Sequence, residues 1–345
     1  MTTVLFLTVR MKMGYGVDEA VAQVSRQLTD RGHRVVIGCR SSEAGFDDLH
    51  IEHVRSDPVQ IAALAKRVRA SVIVAHTSPF FEVLPELASQ WPCWAWEYGD
   101  PTPAMFDSDR EARQRIKDDK APIYPQLRGV IAISEFIRSD IDYPAAHVIY
   151  CGCDHLPPGL PKTPDELGAA TGRPLKVGTL MRLGAGEAKY KGNELFREFA
   201  AALKQQSSSA ELHVMGRGTA EDAEAFEQAG IRVHLNATDE EKSDYLRSLD
   251  VFLSCSLWEG FNLPLAEAET SGTVGLAFDT GAHPEVTPLV MRNVGEAVAQ
   301  VRAYDRDRNL LAKHSERCLS HVRERFTWRQ CALDFERLAL GGSKA

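Results

Sequence analysis

Short runs of β-branched and aliphatic residues alternate with helical stretches along almost the whole chain, and this rhythm constrains the fold more than any single motif. In the first half the runs fall at residues 4–9, 35–38, 71–75, 93–96, 130–133 and 148–150. Between them, residues 17–31 and 58–69 carry Val, Ile and Leu at helical spacing. Strands apolar on both faces and separated by helices predict a parallel sheet covered on both sides. Residues 156–174 interrupt the pattern with Leu-Pro-Pro-Gly-Leu-Pro-Lys-Thr-Pro and then Gly-Arg-Pro, the composition of a linker. The rhythm restarts with strands expected at 175–180, 212–215, 231–235, 251–254 and 273–278, and helices at 194–204, 220–229, 240–248 and 263–271. The expected architecture is α/β: two doubly wound domains at 1–155 and 172–325, joined by a linker at 156–171. A chain of 345 residues is long enough for two full cores.

Charge and cysteine usage narrow the function. Lys+Arg 40 against Asp+Glu 48 leaves a net charge of −8, and an acidic sheath argues against nucleic acid as a partner. No apolar run approaches the ~20 residues of a membrane span. The opening Met-Thr-Thr-Val-Leu-Phe-Leu-Thr-Val-Arg has no basic n-region and reads as a first strand. Seven scattered cysteines point to reduced thiols, and the expectation is a cytoplasmic chain with no indicated membrane association. Cys151-Gly-Cys153 lacks the second pair that a structural zinc site needs, and reads as a tight turn.

Ligands of open α/β sheets bind beyond the carboxyl ends of the strands. Residues 258–269, Trp-Glu-Gly-Phe-Asn-Leu-Pro-Leu-Ala-Glu-Ala-Glu, follow such a strand. Asn262 suits an N-cap, Pro264 a first helical turn and Gly272 a C′ position, so strand, loop and helix are expected here. Backbone N–H groups over Gly260, Phe261, Asn262 and Leu263, with the positive helix end, suit a phosphate. Glu259 on the loop can reach the hydroxyls of a bound sugar. Glu267 can accept from ribose hydroxyls, or simply complement the helix end. In the first loop, 13–18, Gly16 allows close backbone approach and Tyr15 precedes it. As a dinucleotide fingerprint this loop lacks the third glycine and the acidic residue after the second strand. Asp107-Ser-Asp109 lies in a charged, helix-like stretch and reads as a solvated face rather than a metal site.

The segment from Glu259 to Glu267 resembles the two-glutamate signature, seven residues between the acids, of retaining glycosyltransferases with the GT-B fold (family-4-like). Asp250-Val-Phe-Leu-Ser-Cys-Ser-Leu-Trp is similar to its approach, and residues 129–138 to the family's last N-domain strand and helix. Tyr150-Cys-Gly-Cys-Asp154, Thr280-Gly-Ala-His-Pro-Glu285 and the closing stretch from Phe326 match further blocks in order and spacing. The resemblance implies two Rossmann-like domains facing a central cleft. It puts the acceptor side in the N-domain, the nucleotide-sugar side in the C-domain, and a last helix at 326–340 back on the N-domain. It implies transfer of a hexose-type unit from a nucleotide diphosphate sugar to a small-molecule, lipid-linked or glycan acceptor, with no metal and no further cofactor. Catalytic roles go to Glu259, Arg182 and Lys191, the two cations facing the leaving diphosphate. Donor binding adds Gly16, Gly260, Phe261, Asn262, Leu263 and Glu267. The nine-residue step from Arg182 to Lys191 is longer than the family's usual one, so Lys189 competes with Lys191. The family's histidine after the fourth strand is missing. Glu97, Tyr98 or Asp100 stand there instead, with Tyr15 and His76 as further contacts for sugar or acceptor. A nucleotide-sugar epimerase and a non-catalytic nucleotide-sugar-binding protein are the alternatives. The nucleotide base, sugar, acceptor and oligomeric state are left open.

Overall fold

The computed structural model describes residues 2–106, 108–184, 187 and 189–341, and the chain divides into two compact units. The first comprises Met1–Asp100, Glu111–His155 and Phe326–Ala345; the second comprises Pro101–Arg110 and Leu156–Arg325.

In the first unit seven parallel strands run β1 Thr3–Met11, β2 Arg34–Ser42, β3 Ile51–His53, β4 Val72–Ala75, β5 Cys93–Glu97, β6 Gly129–Ala132 and β7 His147–Val148. Their spatial order is β3-β2-β1-β4-β5-β6-β7, so the winding reverses between β1 and β4. The helices are α1 Gly16–Asp30, α2 Pro58–Val68, α3 Leu84–Leu87, α4 Arg110–Lys120 and α5 Glu135–Asp140. Residues Val4 to Leu7 are buried on both faces of β1, which is why that strand reads as one apolar run. α1 buries the stripe Ala20, Val21, Val24 and Leu28. α2 starts where Asp57 accepts from Val59 and Gln60 N–H, with Pro58 as its first residue. The closing helix Trp328–Ala339 also belongs to this unit. Trp328 N–H donates to Asp154 at 2.8 Å, and Cys153 N–H to the Phe326 carbonyl at 3.0 Å. A Cβ on Gly152 would lie 2.2 Å from the Trp328 nitrogen, so the Cys151-Gly152-Cys153 turn is set by close packing.

The second unit has six parallel strands: β8 Lys176–Arg182, β9 Glu211–Arg217, β10 Arg232–Leu235, β11 Val251–Ser254, β12 Val274–Phe278 and β13 Val290–Met291. Their order is β10-β9-β8-β11-β12-β13, reversing between β8 and β11. The helices are α6 Asn193–Gln205, α7 Ala220–Gln228, α8 Asp239–Ser248, α9 Leu263–Thr270, α10 His283–Val286, α11 Val294–Arg306 and α12 Arg308–Arg325. Val177, Phe196, Phe199, Leu253, Leu276, Tyr304 and Leu311 lie in its core. Lys162, from the proline-rich stretch, donates to the carbonyls of Arg247 and Leu249 and so caps the end of α8.

Both sheets agree with the expected doubly wound α/β class. The edge strands β3 and β13 are absent from the sequence reading. Their three and two residues are too short to carry a period. Residues 101–110, read with the first half, group with the second unit, where the buried Phe106 ring lies 5.4 Å from that of Tyr190. Among the described residues no helix is long and apolar enough to cross a membrane. All seven cysteines are buried thiols.

Candidate functional site

The winding reversal of the second sheet puts the carboxyl ends of β8 and β11 side by side, the place where open α/β sheets hold ligands. Arg182 is the last residue of β8, and the loop from Cys255 to Asn262 leaves β11 for α9. Two glycines wedge that loop from either side. Gly192, the N-cap of α6, has φ 74°, and a Cβ there would meet the Cys255 carbonyl oxygen at 2.0 Å. Gly281 has φ 57°, and its Cβ would meet the Glu259 oxygen at 2.5 Å. Leu257 N–H donates to the Tyr190 carbonyl at 2.7 Å, and Ala282 N–H to that of Glu259 at 2.9 Å. The loop is thus clamped by backbone on both flanks.

On this loop Glu259 meets Lys191: the ammonium donates to the two carboxylate oxygens at 3.0 and 3.1 Å. The Lys191 ammonium also lies 5.1 Å from the centre of the Tyr190 ring. Lys189, the competing lysine, is exposed in the preceding loop. Arg182 pairs with Glu187 at 2.8 Å, a partner that the sequence reading did not single out. Ala185, Gly186 and Ala188 of the inserted loop, and Asp107 of the Asp-Ser-Asp stretch, lie outside the described residues.

Asn262 caps α9 from the left-handed region, φ 67° and ψ 69°, its side-chain oxygen accepting the Leu265 N–H at 3.2 Å. Pro264 brings no N–H of its own, so among the described residues Leu263 is the first-turn donor open to an anion. Gly260 and Phe261 are buried beside it. Glu267, one helical turn on from Leu263, is fully buried and accepts from Lys242 of α8 at 2.8 Å. Lys242 is 25 positions away with no local pattern to betray it, and sequence reasoning missed it.

The candidates of the first unit are arranged differently. Tyr15 precedes α1, with the Arg10 guanidinium 3.9 Å above its ring. Gly16 has open space around its Cα, and the glycine that the backbone demands is Gly14, at φ 74°. Asp18, buried in the first turn, accepts from Lys12 N–H at 3.1 Å; burial raises its pKa to about 6. His76 follows β4 and is buried against Trp96, with Nδ1 3.0 Å from the Tyr98 hydroxyl; burial lowers its pKa to about 3, so the ring is neutral. Glu97 ends β5 and is buried, accepting from the Lys120 ammonium at 3.1 Å and the Tyr124 hydroxyl at 2.7 Å. The same ammonium donates to Asp100 at 2.6 Å. Burial works against the Lys120 charge, but the two carboxylates outweigh it and hold its pKa above the usual lysine value. Glu97 and Asp100, which stand where a histidine was expected from the resemblance, are thus already bonded within their own unit.

Residues 177–319 match the family model described as glycosyl transferases group 1. The chain is 30% identical over 234 residues to the lipopolysaccharide core biosynthesis mannosyltransferase LpcC of Rhizobium leguminosarum bv. viciae, a match spanning 63% of this chain and 64% of that protein. Among solved structures, sucrose-phosphate synthase from Thermosynechococcus elongatus superposes with a TM-score of 0.79 at 15% identity, covering 99% of both chains. Anabaena HepE, solved with UDP and glucose, gives 0.76 at 15% identity, covering 99% of this chain and 100% of that one. At such identities the two structures speak for the fold. The likeness to the glycosyl transferases group 1 model thus lies in residues 177–319, and the chain has the two-sheet α/β fold of the GT-B glycosyltransferases.

Proposed function

We propose that this chain is a retaining glycosyltransferase that moves a hexose-type unit from a nucleotide diphosphate sugar to an acceptor without a metal. The observation that carries this reading is the meeting of Lys191 with Glu259 beside the N-terminus of α9, at the switch point of the second sheet. Breaking the bond from the anomeric carbon to the diphosphate builds negative charge on the leaving group and an oxocarbenium-like charge on the sugar. Arg182 and Lys191, on exchanging Glu187 and Glu259 for the diphosphate, and the start of α9 supply positive charge for the first. Glu259 holds the donor sugar; Glu267 lies buried against Lys242 and reaches the ribose only if that pair opens to the ligand. The second unit is the donor side and the first the acceptor side. The acceptor is a small molecule, a lipid-linked compound or a glycan. A hexose is favoured because one relative is named a mannosyltransferase. Seven buried thiols accord with work in the cytoplasm.

The test is a thermal-shift screen of UDP, GDP, ADP and TDP, then turnover of the matching sugar nucleotides with and without EDTA. One diphosphate should stabilise the protein, transfer should persist in EDTA, and NMR of the product should show the donor's anomeric configuration. Glu259→Gln should lower kcat by roughly 10²–10³ while leaving the fold intact. Stabilisation by none of the four, or an inverted product, would sink the reading.

A further inference from the structure

Behind the Glu259 loop lies a second layer of polar side chains. His283 opens α10 and is fully buried. Its Nδ1 is 2.8 Å from the Phe278 carbonyl, which can only accept, so the ring proton sits on Nδ1. Nε2 is then an acceptor, 2.8 Å from the Asn262 amide nitrogen and 3.1 Å from Ser254 Oγ. The same amide nitrogen donates to Ser254 Oγ at 2.7 Å. Both amide hydrogens therefore have acceptors, while the amide oxygen takes the Leu265 N–H. One unbroken chain of hydrogen bonds runs from the end of β12, through imidazole and amide, into the first turn of α9. Burial favours the neutral ring by pulling its pKa below the usual histidine range. The backbone conformation of Asn262 would suit glycine with less strain. What asparagine adds is the amide.

We propose that His283 is a positioning residue, a neutral imidazole that locks the Asn262 amide and so holds the α9 N-terminus and the Glu259 loop ready for a diphosphate. This rests on the reading that α9 receives the diphosphate of the donor. A site whose donors are fixed before the ligand arrives need not reorganise when charge develops.

Calorimetry with UDP, GDP and ADP, and with the three nucleosides, would compare wild type with His283→Leu, His283→Gln, Asn262→Gly and the double variant His283→Leu/Asn262→Gly. Hydrogen exchange in residues 257–266 would be followed in the same nucleotide-free proteins. His283→Leu and Asn262→Gly should each weaken the diphosphate that binds wild type by roughly tenfold, leaving its nucleoside unchanged. The double variant should lose no more than either single one, because both cut the same chain. His283→Gln, whose Oε1 can accept from the Asn262 amide, should recover most of the loss. Exchange in 257–266 should quicken in His283→Leu and Asn262→Gly and stay unchanged elsewhere in the second unit. Equal losses for nucleoside and diphosphate, additive losses, or unchanged exchange would overturn the proposal. Should His283→Leu fail to fold, Asn262→Gly, which keeps the backbone conformation, carries the same comparisons. If no diphosphate bound wild type, the donor reading would fail instead, and the exchange data would still decide whether His283 holds the loop.

Discussion

Lys242 on α8 donates to Glu267 on α9 at 2.8 Å, and the Glu267 side chain is 1% exposed. A carboxylate so enclosed keeps its charge at tolerable cost only while a cation stays beside it. Lys242→Met should therefore destabilise the protein by about 3–5 kcal/mol in urea unfolding. Glu267→Gln should cost less, since the Lys242 side chain is 20% exposed and its ammonium can turn to water. The double variant should recover part of the lysine loss. Equal costs for the two single changes would mean that Lys242 is not what neutralises Glu267.

Lys191 and Lys189 can be told apart by what each binds. Lys191→Ala should weaken binding of a nucleoside diphosphate by about 1.5–3 kcal/mol and leave the nucleoside alone, because an ammonium–phosphate contact acts on the phosphates. Lys189→Ala should change neither, its side chain being exposed in the loop. Calorimetry with both ligands decides, and a loss confined to Lys189→Ala would shift the diphosphate contact two residues upstream.

Asp18 makes stability depend on acidity in an unusual direction. Its folded pKa, about 6, lies above the 3.8 of an ordinary aspartate because burial disfavours the charged form. Between those values the folded state holds the extra proton, so stability from this group falls as pH rises from 4 to 6 and is flat above. The difference is worth roughly 3 kcal/mol at most. Asp18→Asn keeps an acceptor for the Lys12 N–H and should remove the slope, melting higher than wild type at pH 8. An unaltered stability profile in Asp18→Asn would refute this.

Gly192 and Gly230 share a positive φ, 74° and 79°, and differ in their surroundings. A Cβ on Gly230 would meet nothing within 4 Å, whereas one on Gly192 would run into the Cys255 backbone. Gly230→Ala should cost about 1–2 kcal/mol, the strain of the backbone alone. Gly192→Ala should cost more than that and should also reduce nucleotide binding, since the loop to Glu259 must move. Thermal denaturation of both variants checks the ranking.

What could be read from the sequence was local. The β11–α9 segment carries its own strand, cap and helix signals within twenty residues, so its outline is legible without tertiary knowledge. The doubly wound class follows likewise from runs such as Val251 to Ser254, apolar on both faces. Partnerships across the fold were not legible. Glu97 and Lys120 lie 23 positions apart, Glu259 and Lys191 lie 68 apart, and no periodicity links either pair. His283 was visible as one letter of a turn. Its tautomer and its grip on Asn262 follow only from the placement of the Phe278 carbonyl behind it.

Arg182 and Lys191, the cations assigned above to the donor, are already bonded to carboxylates, Glu187 and Glu259. A diphosphate bound there, as proposed, would exchange one oxyanion for another instead of landing on bare charge. Neutral pairs project little field beyond a Debye length, so they do little to steer anions from solution. Association should then be slow beside electrostatically guided encounters and respond weakly to added salt. Inorganic phosphate and chloride must compete with carboxylates held within hydrogen-bond reach. Discrimination would pass from net charge to fit: a ligand would gain entry by offering enough simultaneous contacts to displace Glu259 from Lys191.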